Sequence, residues 1–129
     1  MSESETHVLK RIQLALSRGP IRLFRNNVGQ AWAGKLLWAN PRRLIIDNPA
    51  PVHFGLATGS ADLIGWKSII ITPDMVGKRV AVLASIEVKI NKQTYRPEQK
   101  EWADTVSEAG GIAGLARSIT DAAEILGAD

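Results

Sequence analysis

Two charged side chains stand side by side in a segment that otherwise has the composition of a buried β-strand. Residues 80–90 are rich in β-branched and apolar residues, which predicts a strand. Successive strand side chains alternate between two faces, so Glu87 and Lys89 share one face, while Ile86 and Val88 share the other, which we expect to face a core. Buried charges require a partner or a metal ion. Glu87 and Lys89 are therefore the first candidates for chemistry.

Asp62 is the second carboxylate of interest, because it directly precedes the strand-like residues 63–71. Its distance from Glu87 in the sequence suits a strand, a turn and a second antiparallel strand, and such a hairpin could bring both carboxylates to one end of a sheet. Two carboxylates with water and phosphate oxygens form a hard-oxygen site suited to Mg²⁺ or Mn²⁺. The metal would activate a water, and Lys89 could orient that nucleophile or stabilise developing charge.

Two further polar residues fall on the apolar faces of predicted helices. Glu5 lies one turn before the apolar stripe of the first helix, so its carboxylate could approach the metal. Ser2 and Glu5 also fit a capping box, which is an alternative role for Glu5, and Glu3 is an alternative ligand off the stripe. Gln99 shares a face with Trp102, for which we expect a core position. Gln99 could bond a metal-bound water or a phosphate, or it could simply bond backbone in the first helical turn.

The elements that must position these residues alternate between helix and strand. Periodicity and turn residues predict a helix over 6–17, a strand over 21–28, short strands and loops over 29–60, strands over 63–71 and 80–90, a helix opened by Pro97 and ended by Gly110-Gly111, a short strand over 112–116, and a last helix capped by Thr120. This order predicts an α/β sandwich with a mixed central sheet.

Composition limits the classes of site and of protein. The 129 residues suit one domain, and the chain has no cysteine, which excludes disulfides and thiolate-bound zinc. The only histidines are His7 and His53, so a metal would be held mainly by oxygen. No apolar run is long enough to cross a bilayer and no targeting segment is evident, so we expect no membrane partner and a cytoplasmic location.

Charge is distributed unevenly along the chain. Residues 6–61 hold eight basic residues and one acid, Asp47, whereas residues 97–129 hold two basic residues and seven acids. This asymmetry is typical of a protein with one face that meets a polyanion. Phosphate contacts need little more than positive charge, and the candidates for contacting DNA are Arg25, Asn27, Lys67, Lys92 and Arg96.

An Asp at a strand start followed by Glu-x-Lys on the next strand, inside an α/β sandwich, resembles the PD-(D/E)XK nuclease superfamily. Several further segments resemble its VRR-NUC branch, and they occur in the expected order across nearly the whole chain: the helix bearing Glu5, Arg25-Asn26-Asn27-Val28-Gly29, Gly59-Ser60-Ala61-Asp62-Leu63-Ile64-Gly65, Ile86-Glu87-Val88-Lys89, Arg96-Pro97-Glu98-Gln99, and Gly110-Gly111. Ala61-Asp62 replaces the Pro-Asp pair that names the superfamily, and the VRR-NUC branch generally lacks that proline.

The resemblance implies a restriction-endonuclease-like core, roughly αβββαβ with an insertion at 29–57, in a single domain spanning residues 1–129. It also implies a divalent metal bound by Asp62, Glu87 and the carbonyl of Val88, a catalytic Lys89, and supporting roles for Glu5 and Gln99. Stand-alone bacterial and phage members tend to be homodimers that cut branched DNA such as four-way junctions. Two alternatives stay open: a nucleic-acid-binding or subunit module without enzymatic activity, and a restriction-type nuclease whose recognition segment lies within 29–57.

Overall fold

A computed structural model describes residues 4–128 of the chain. In that range three α-helices, six strands and one 3-10 turn follow one another, which confirms the predicted α/β class. Their bounds are α1 (Glu5–Leu16), β1 (Ile21–Arg25), β2 (Gly29–Ala39), β3 (Leu44–Phe54), β4 (Leu63–Lys67), the 3-10 turn (Pro73–Met75), β5 (Ala84–Val88), α2 (Pro97–Glu108), β6 (Ile112–Ala116) and α3 (Ile119–Leu126). The chain divides into two compact units, residues 1–65 and residues 66–129.

Helix α1 of the first unit begins where its capping residue satisfies a free backbone donor. The Ser4 side chain accepts a hydrogen bond from the His7 N–H at 3.2 Å, as a serine N-cap does. Ser2 and Glu3, the predicted cap and the alternative ligand, lie outside the described residues. At the other end, the Gln13 side chain donates to the Leu23 carbonyl at 3.1 Å and the Ser17 hydroxyl accepts from the Leu23 N–H at 2.9 Å. These two bonds fix α1 against β1.

The segment predicted as short strands and loops is instead one long antiparallel hairpin, in which β2 pairs with β3. The prediction was wrong because apolar residues occur on both faces of these strands, so the alternation that marks a half-buried strand is missing. The hairpin contains two irregularities, one between Ala33 and Lys35 and one between Leu36 and Trp38. At the first of them Asn48 has a positive φ of 53°, a conformation that asparagine tolerates better than most residues.

Strands β1 and β4 form a second pair. Asn26, just beyond β1, donates its backbone N–H to the Asp62 carbonyl at 2.8 Å, while Arg22 lies against Gly65, so the two strands run antiparallel. A Cβ at Gly65 would lie 1.8 Å from the Arg22 carbonyl oxygen. Only glycine allows this close approach of the two backbones.

The core of the second unit lies between helix α2 and the parallel pair β5–β6. Val106 is fully buried, and Ala103 and Ala116 are nearly so. Pro97 occupies the first turn of α2 as predicted, because a proline there removes no helical hydrogen bond. On the exposed side of α2 the hydrogen bond from Lys100 to Asp104 raises the pKa of Lys100.

Helix α3 is capped by Ser118 rather than by the predicted Thr120, because the Ser118 hydroxyl accepts the Asp121 N–H at 3.0 Å. Asp121 lies in the first turn as predicted. Its carboxylate accepts the Arg117 N–H at 2.9 Å. Gly114 of β6 lies against Ile125 of α3, where an added Cβ would come within 2.6 Å of the Ile125 side chain. Close packing of α3 on β6 therefore depends on that glycine.

Several strand predictions were too long. β4 ends at Lys67 instead of residue 71, and β5 begins only at Ala84 instead of residue 80. The described strands pair two by two, as β1–β4, β2–β3 and β5–β6, and the hairpin predicted between residues 63–71 and 80–90 is not among these pairs. The apolar face of β5 was also expected in a core, but Val88 is 71% exposed. No helix within residues 4–128 has the length and apolar character needed to span a bilayer.

Candidate functional site

Three of the predicted site residues meet in the second unit, around one carboxylate oxygen. The Gln99 side-chain nitrogen donates to Glu87 Oε1 at 2.9 Å. Lys89 Nζ lies 3.6 Å from the same oxygen, and the Lys89 side chain is only 13% exposed. The alternation along β5 and the first turn of α2 thus bring a carboxylate, an ammonium and an amide together. Both contacts are made to Oε1.

The orientation of the Gln99 amide follows from its second hydrogen bond. Its oxygen accepts the backbone N–H of Arg96, the N-cap residue of α2, at 2.9 Å. This is the reciprocal half of a capping box, in which the third helical residue bonds back to the N-cap. Because the oxygen is engaged by a donor, the nitrogen is the atom that faces Glu87. Gln99 therefore has both predicted contacts, one to backbone and one into the site.

A small cavity of about 160 Å³ lies beside Glu87, between β5 and α2. Its walls are formed by Ser85, Glu87, Tyr95, Glu98, Gln99, Trp102, Ala103 and Gly114. The indole of Trp102 donates to the Ser85 hydroxyl at 2.8 Å and makes an edge contact with Trp66, with ring centroids 6.0 Å apart. Trp102 is nevertheless 40% exposed, so the expected core position was wrong. It is a wall of the cavity, held in place by its polar nitrogen.

Arg117 holds the loop that follows Lys89. Its guanidinium donates to the Asn91 carbonyl at 2.9 Å and to the Gln93 carbonyl. The Lys89 N–H donates to the Ala116 carbonyl at 3.1 Å, which continues the β5–β6 ladder one residue past the strand. Sequence reasoning gave Arg117 no role. Its isolation among acidic residues in the last third of the chain is the one signal that could have found it.

Asp62 lies in the first unit, exposed, at the entrance to β4. The neighbouring Asn26 is the one buried polar residue of the described range. Its side-chain nitrogen donates to the Ser60 hydroxyl at 2.7 Å and to the Ala61 carbonyl at 2.8 Å, and its oxygen accepts the Leu56 N–H at 3.0 Å. With the backbone bond to Asp62, Asn26 fixes the loop that carries this carboxylate. Asn26 was quoted only as part of a motif, and its positioning role was missed.

The other predicted residues are placed by their elements and are exposed. Glu5 lies in the first turn of α1. Arg25 donates from Nε to the Asn27 side-chain oxygen at 2.8 Å, so these two predicted DNA contacts bind each other. Lys67 ends β4 and Lys92 lies in the loop after β5. Arg96 is 68% exposed and lies 3.7 Å from Glu98.

The chemistry of the donors fits a hard divalent cation in kind. Carboxylate and carbonyl oxygens are what Mg²⁺ and Mn²⁺ prefer, and Glu87 supplies one such carboxylate beside the Val88 carbonyl. Within residues 4–128 no group of three or more His, Asp or Glu side chains gathers where it could hold a metal ion. The predicted core set of Asp62, Glu87 and a backbone carbonyl contains only two such side chains.

Comparison with known proteins adds no relative: no family model, curated protein or solved structure matches this chain. The functional assignment therefore depends on the chemistry of the residues and on the order of the elements that carry them.

Proposed function

We propose that this protein is a divalent-metal-dependent endonuclease of the PD-(D/E)XK type that hydrolyses phosphodiester bonds in branched DNA, such as four-way junctions. The observation that carries the proposal is the contact of Lys89 and Gln99 with one oxygen of Glu87. A lysine and a carboxylate on the same strand face, joined by a polar residue from the first turn of the next helix, is the arrangement that the resemblance to this superfamily implies.

The order of elements supports the same proposal. Apart from the β2–β3 hairpin, the chain runs α1, β1, β4, β5, α2, β6, which matches αβββαβ with an insertion between the first two strands. Strands β5 and β6 are parallel and connected through α2, as the second half of that core requires. A single central sheet is the finer part of the proposal, because it would also place β4 beside β5.

In the proposed site, Asp62, Glu87 and the Val88 carbonyl bind the metal, with Glu5 as a supporting carboxylate. Since Lys89 and Gln99 both contact Oε1 of Glu87, the other oxygen, Oε2, is the one that faces a metal. The metal supplies an activated water and neutralises charge on the phosphate. Lys89 stabilises the charge that develops on the phosphate oxygens. Gln99 keeps the Glu87 carboxylate in one orientation.

DNA would be held by the cationic and polar residues Arg25, Asn27, Lys67, Lys92 and Arg96. Phosphate contacts of this kind position a nucleic acid without reading its sequence, which suits an enzyme that recognises branch structure. A homodimer would carry two such sites related by a twofold axis. It could then cut both strands of a symmetric junction.

The direct test is cleavage of duplex, single-stranded, flap and four-way-junction DNA in Mg²⁺ or Mn²⁺. We expect metal-dependent cutting of branched DNA that is lost in Lys89→Ala and Glu87→Gln, while junction binding persists. Lys78→Ala is the matched control, because Lys78 is an exposed lysine of the same unit outside the site. Full activity in a folded Lys89→Ala protein would refute the proposal.

A nucleic-acid-binding module without catalysis is the second candidate, and the ion pair itself favours it. Lys89 and Glu87 neutralise each other at 3.6 Å, which is also what a purely structural pair would do. The two candidates differ in their response to metal, since a ligand that binds only the folded state raises its melting temperature. We expect Mg²⁺ or Mn²⁺ to stabilise the wild type but not Glu87→Gln. An equal response of both proteins would favour the binding module.

A further inference from the structure

The β2–β3 hairpin of the first unit exposes an unusual amount of apolar surface. Eight large apolar side chains on its two strands are each between 42% and 60% exposed: Trp32, Leu36, Leu37, Trp38, Leu44, Ile45, Val52 and Phe54. A two-stranded ribbon is marginally stable in water unless something packs on it. Soluble monomers rarely expose contiguous apolar patches beyond a few hundred Å². This hairpin therefore has the surface of an element that is covered in the working protein.

One face of the hairpin already has the shape of a docking site. Trp32 from β2 and Leu44, Ile46 and Pro49 from β3 line an open groove of about 500 Å³. The four residues share a face because Leu36, two residues after the glycine that follows Ala33, pairs with Ile46 across the strands. The groove has an aromatic wall and an aliphatic floor, and tryptophan is the residue most enriched at the energetic centres of protein interfaces.

We propose that the β2–β3 hairpin is the self-association surface of this protein, and that its groove receives the hairpin of a second copy. The exposed area agrees with what a dimer needs. Large apolar side chains expose roughly 150–250 Å² each when free, so eight that are about half exposed offer on the order of 800 Å², the share that one partner contributes to a standard interface.

The charges of the hairpin favour another protein surface over DNA. Lys35 on β2 lies opposite Asp47 on β3, so their charges cancel locally, and the remaining cations, Arg42 and Arg43, lie between the strands at the turn. A polyanion requires an excess of positive charge along its path. A second copy needs only a surface that complements itself. Trp32 meets that need, because it both forms a wall of the groove and is 56% exposed as an anchor.

The proposal does not depend on the nuclease activity, so the two can fail separately. Its test is the mass of the protein in solution, measured by sedimentation velocity and light scattering from micromolar to hundreds of micromolar concentrations. We expect a wild-type dimer. Leu44→Glu should weaken self-association by about a hundredfold or more, because a charge would be buried at two symmetry-related places. Leu14→Glu is the matched control, since Leu14 on α1 is 83% exposed, and it should remain dimeric.

A second variant and a second measurement separate loss of the interface from loss of the fold. Trp32→Thr keeps a good strand former but removes the anchor, and it should be folded by circular dichroism and monomeric. Amide exchange in residues 29–54 of the wild type should quicken on dilution below the dissociation constant, while exchange in α2 does not change. A wild type that is monomeric at every concentration would overturn the proposal. So would a dimer that persists unchanged in both hairpin variants, or a hairpin shielded only when junction DNA is added.

Discussion

Gln99 of α2 lies 2.9 Å from Glu87 of β5 and donates its amide N–H to Oε1 of that carboxylate. The same side chain accepts the Arg96 N–H through its oxygen, so it joins the start of a helix to the centre of a strand. Any change at this position alters the electrostatics of Glu87 and the cap of α2 together. A substitution that retains one contact and inverts the other can separate the two roles.

Gln99→Glu is that substitution, because a carboxylate still accepts the Arg96 N–H but presents a negative charge to Glu87. Two carboxylates at this distance cannot both ionise without cost, so the pKa of the pair should rise above the value of about 4.3 that glutamate has in an unfolded chain. A raised folded-state pKa gives stability that is present at low pH and is lost as pH rises through it. We therefore expect Gln99→Glu to melt close to wild type near pH 4 and well below it at pH 7.

The control for that measurement is Gln99→Leu, which removes both contacts and adds no charge. Its loss of stability should hardly depend on pH between 4 and 7. If Gln99→Glu shows the same flat difference, the two side chains do not contact each other in solution. Addition of Mg²⁺ at pH 7 should restore part of the stability of Gln99→Glu if the carboxylates bind the metal.

Asn26→Ala should destabilise the first unit by roughly 1–3 kcal/mol, because it leaves buried backbone groups of the 56–61 loop without partners. Denaturant unfolding followed by tryptophan fluorescence measures this difference. Asn27→Ala is the neighbouring control. Asn27 is exposed, and we expect a change within about 0.5 kcal/mol. Equal effects of the two substitutions would show that the Asn26 amide does not hold the loop.

Arg117→Ala should loosen the loop after β5 more than it lowers overall stability. Two carbonyls, those of Asn91 and Gln93, lose their donor, but both are near solvent, so the cost should be about 1 kcal/mol. Hydrogen exchange of residues 89–93 should rise severalfold, with little change in α3. Arg79→Ala, an exposed arginine of the same unit, is the control and should leave the exchange of that loop as it is.

Arg25→Ala should weaken binding to four-way-junction DNA and reduce its salt dependence. Each lost phosphate contact lowers the slope of log affinity against log salt by about 0.9. Fluorescence anisotropy at a series of salt concentrations measures this slope. Because Arg25 also bonds Asn27, Asn27→Ala should have a smaller effect in the same direction. A slope identical to wild type in Arg25→Ala would remove this residue from the DNA path.

Helices α1 and α2 and strand β6 could be predicted from the sequence because their signals are local. Apolar residues recur at helical spacing, Pro97 opens α2, and Gly110 follows it with a φ of 97°. The meeting of Glu87, Lys89 and Gln99 was equally accessible, since strand alternation and the first helical turn determine it within one β-α unit.

The hairpin and the positioning residues could not be predicted in the same way. Strands β2 and β3 have apolar residues on both faces, so no period of two distinguishes them from loops. Residues 80–83 have strand composition but form no described strand, because composition alone does not supply a pairing neighbour. Asn26 and Arg117 act through hydrogen bonds to residues more than twenty positions away, and no local pattern predicts such partners.

The two irregularities of the β2–β3 hairpin have opposite signs. At the first, β3 contains the additional residue, and at the second β2 contains it, so the offset in register created by one is cancelled by the other. Deleting one residue at either place would leave the offset uncorrected and turn every following side chain to the opposite face. Changes of length in this hairpin during evolution should therefore come in compensating pairs, one on each strand.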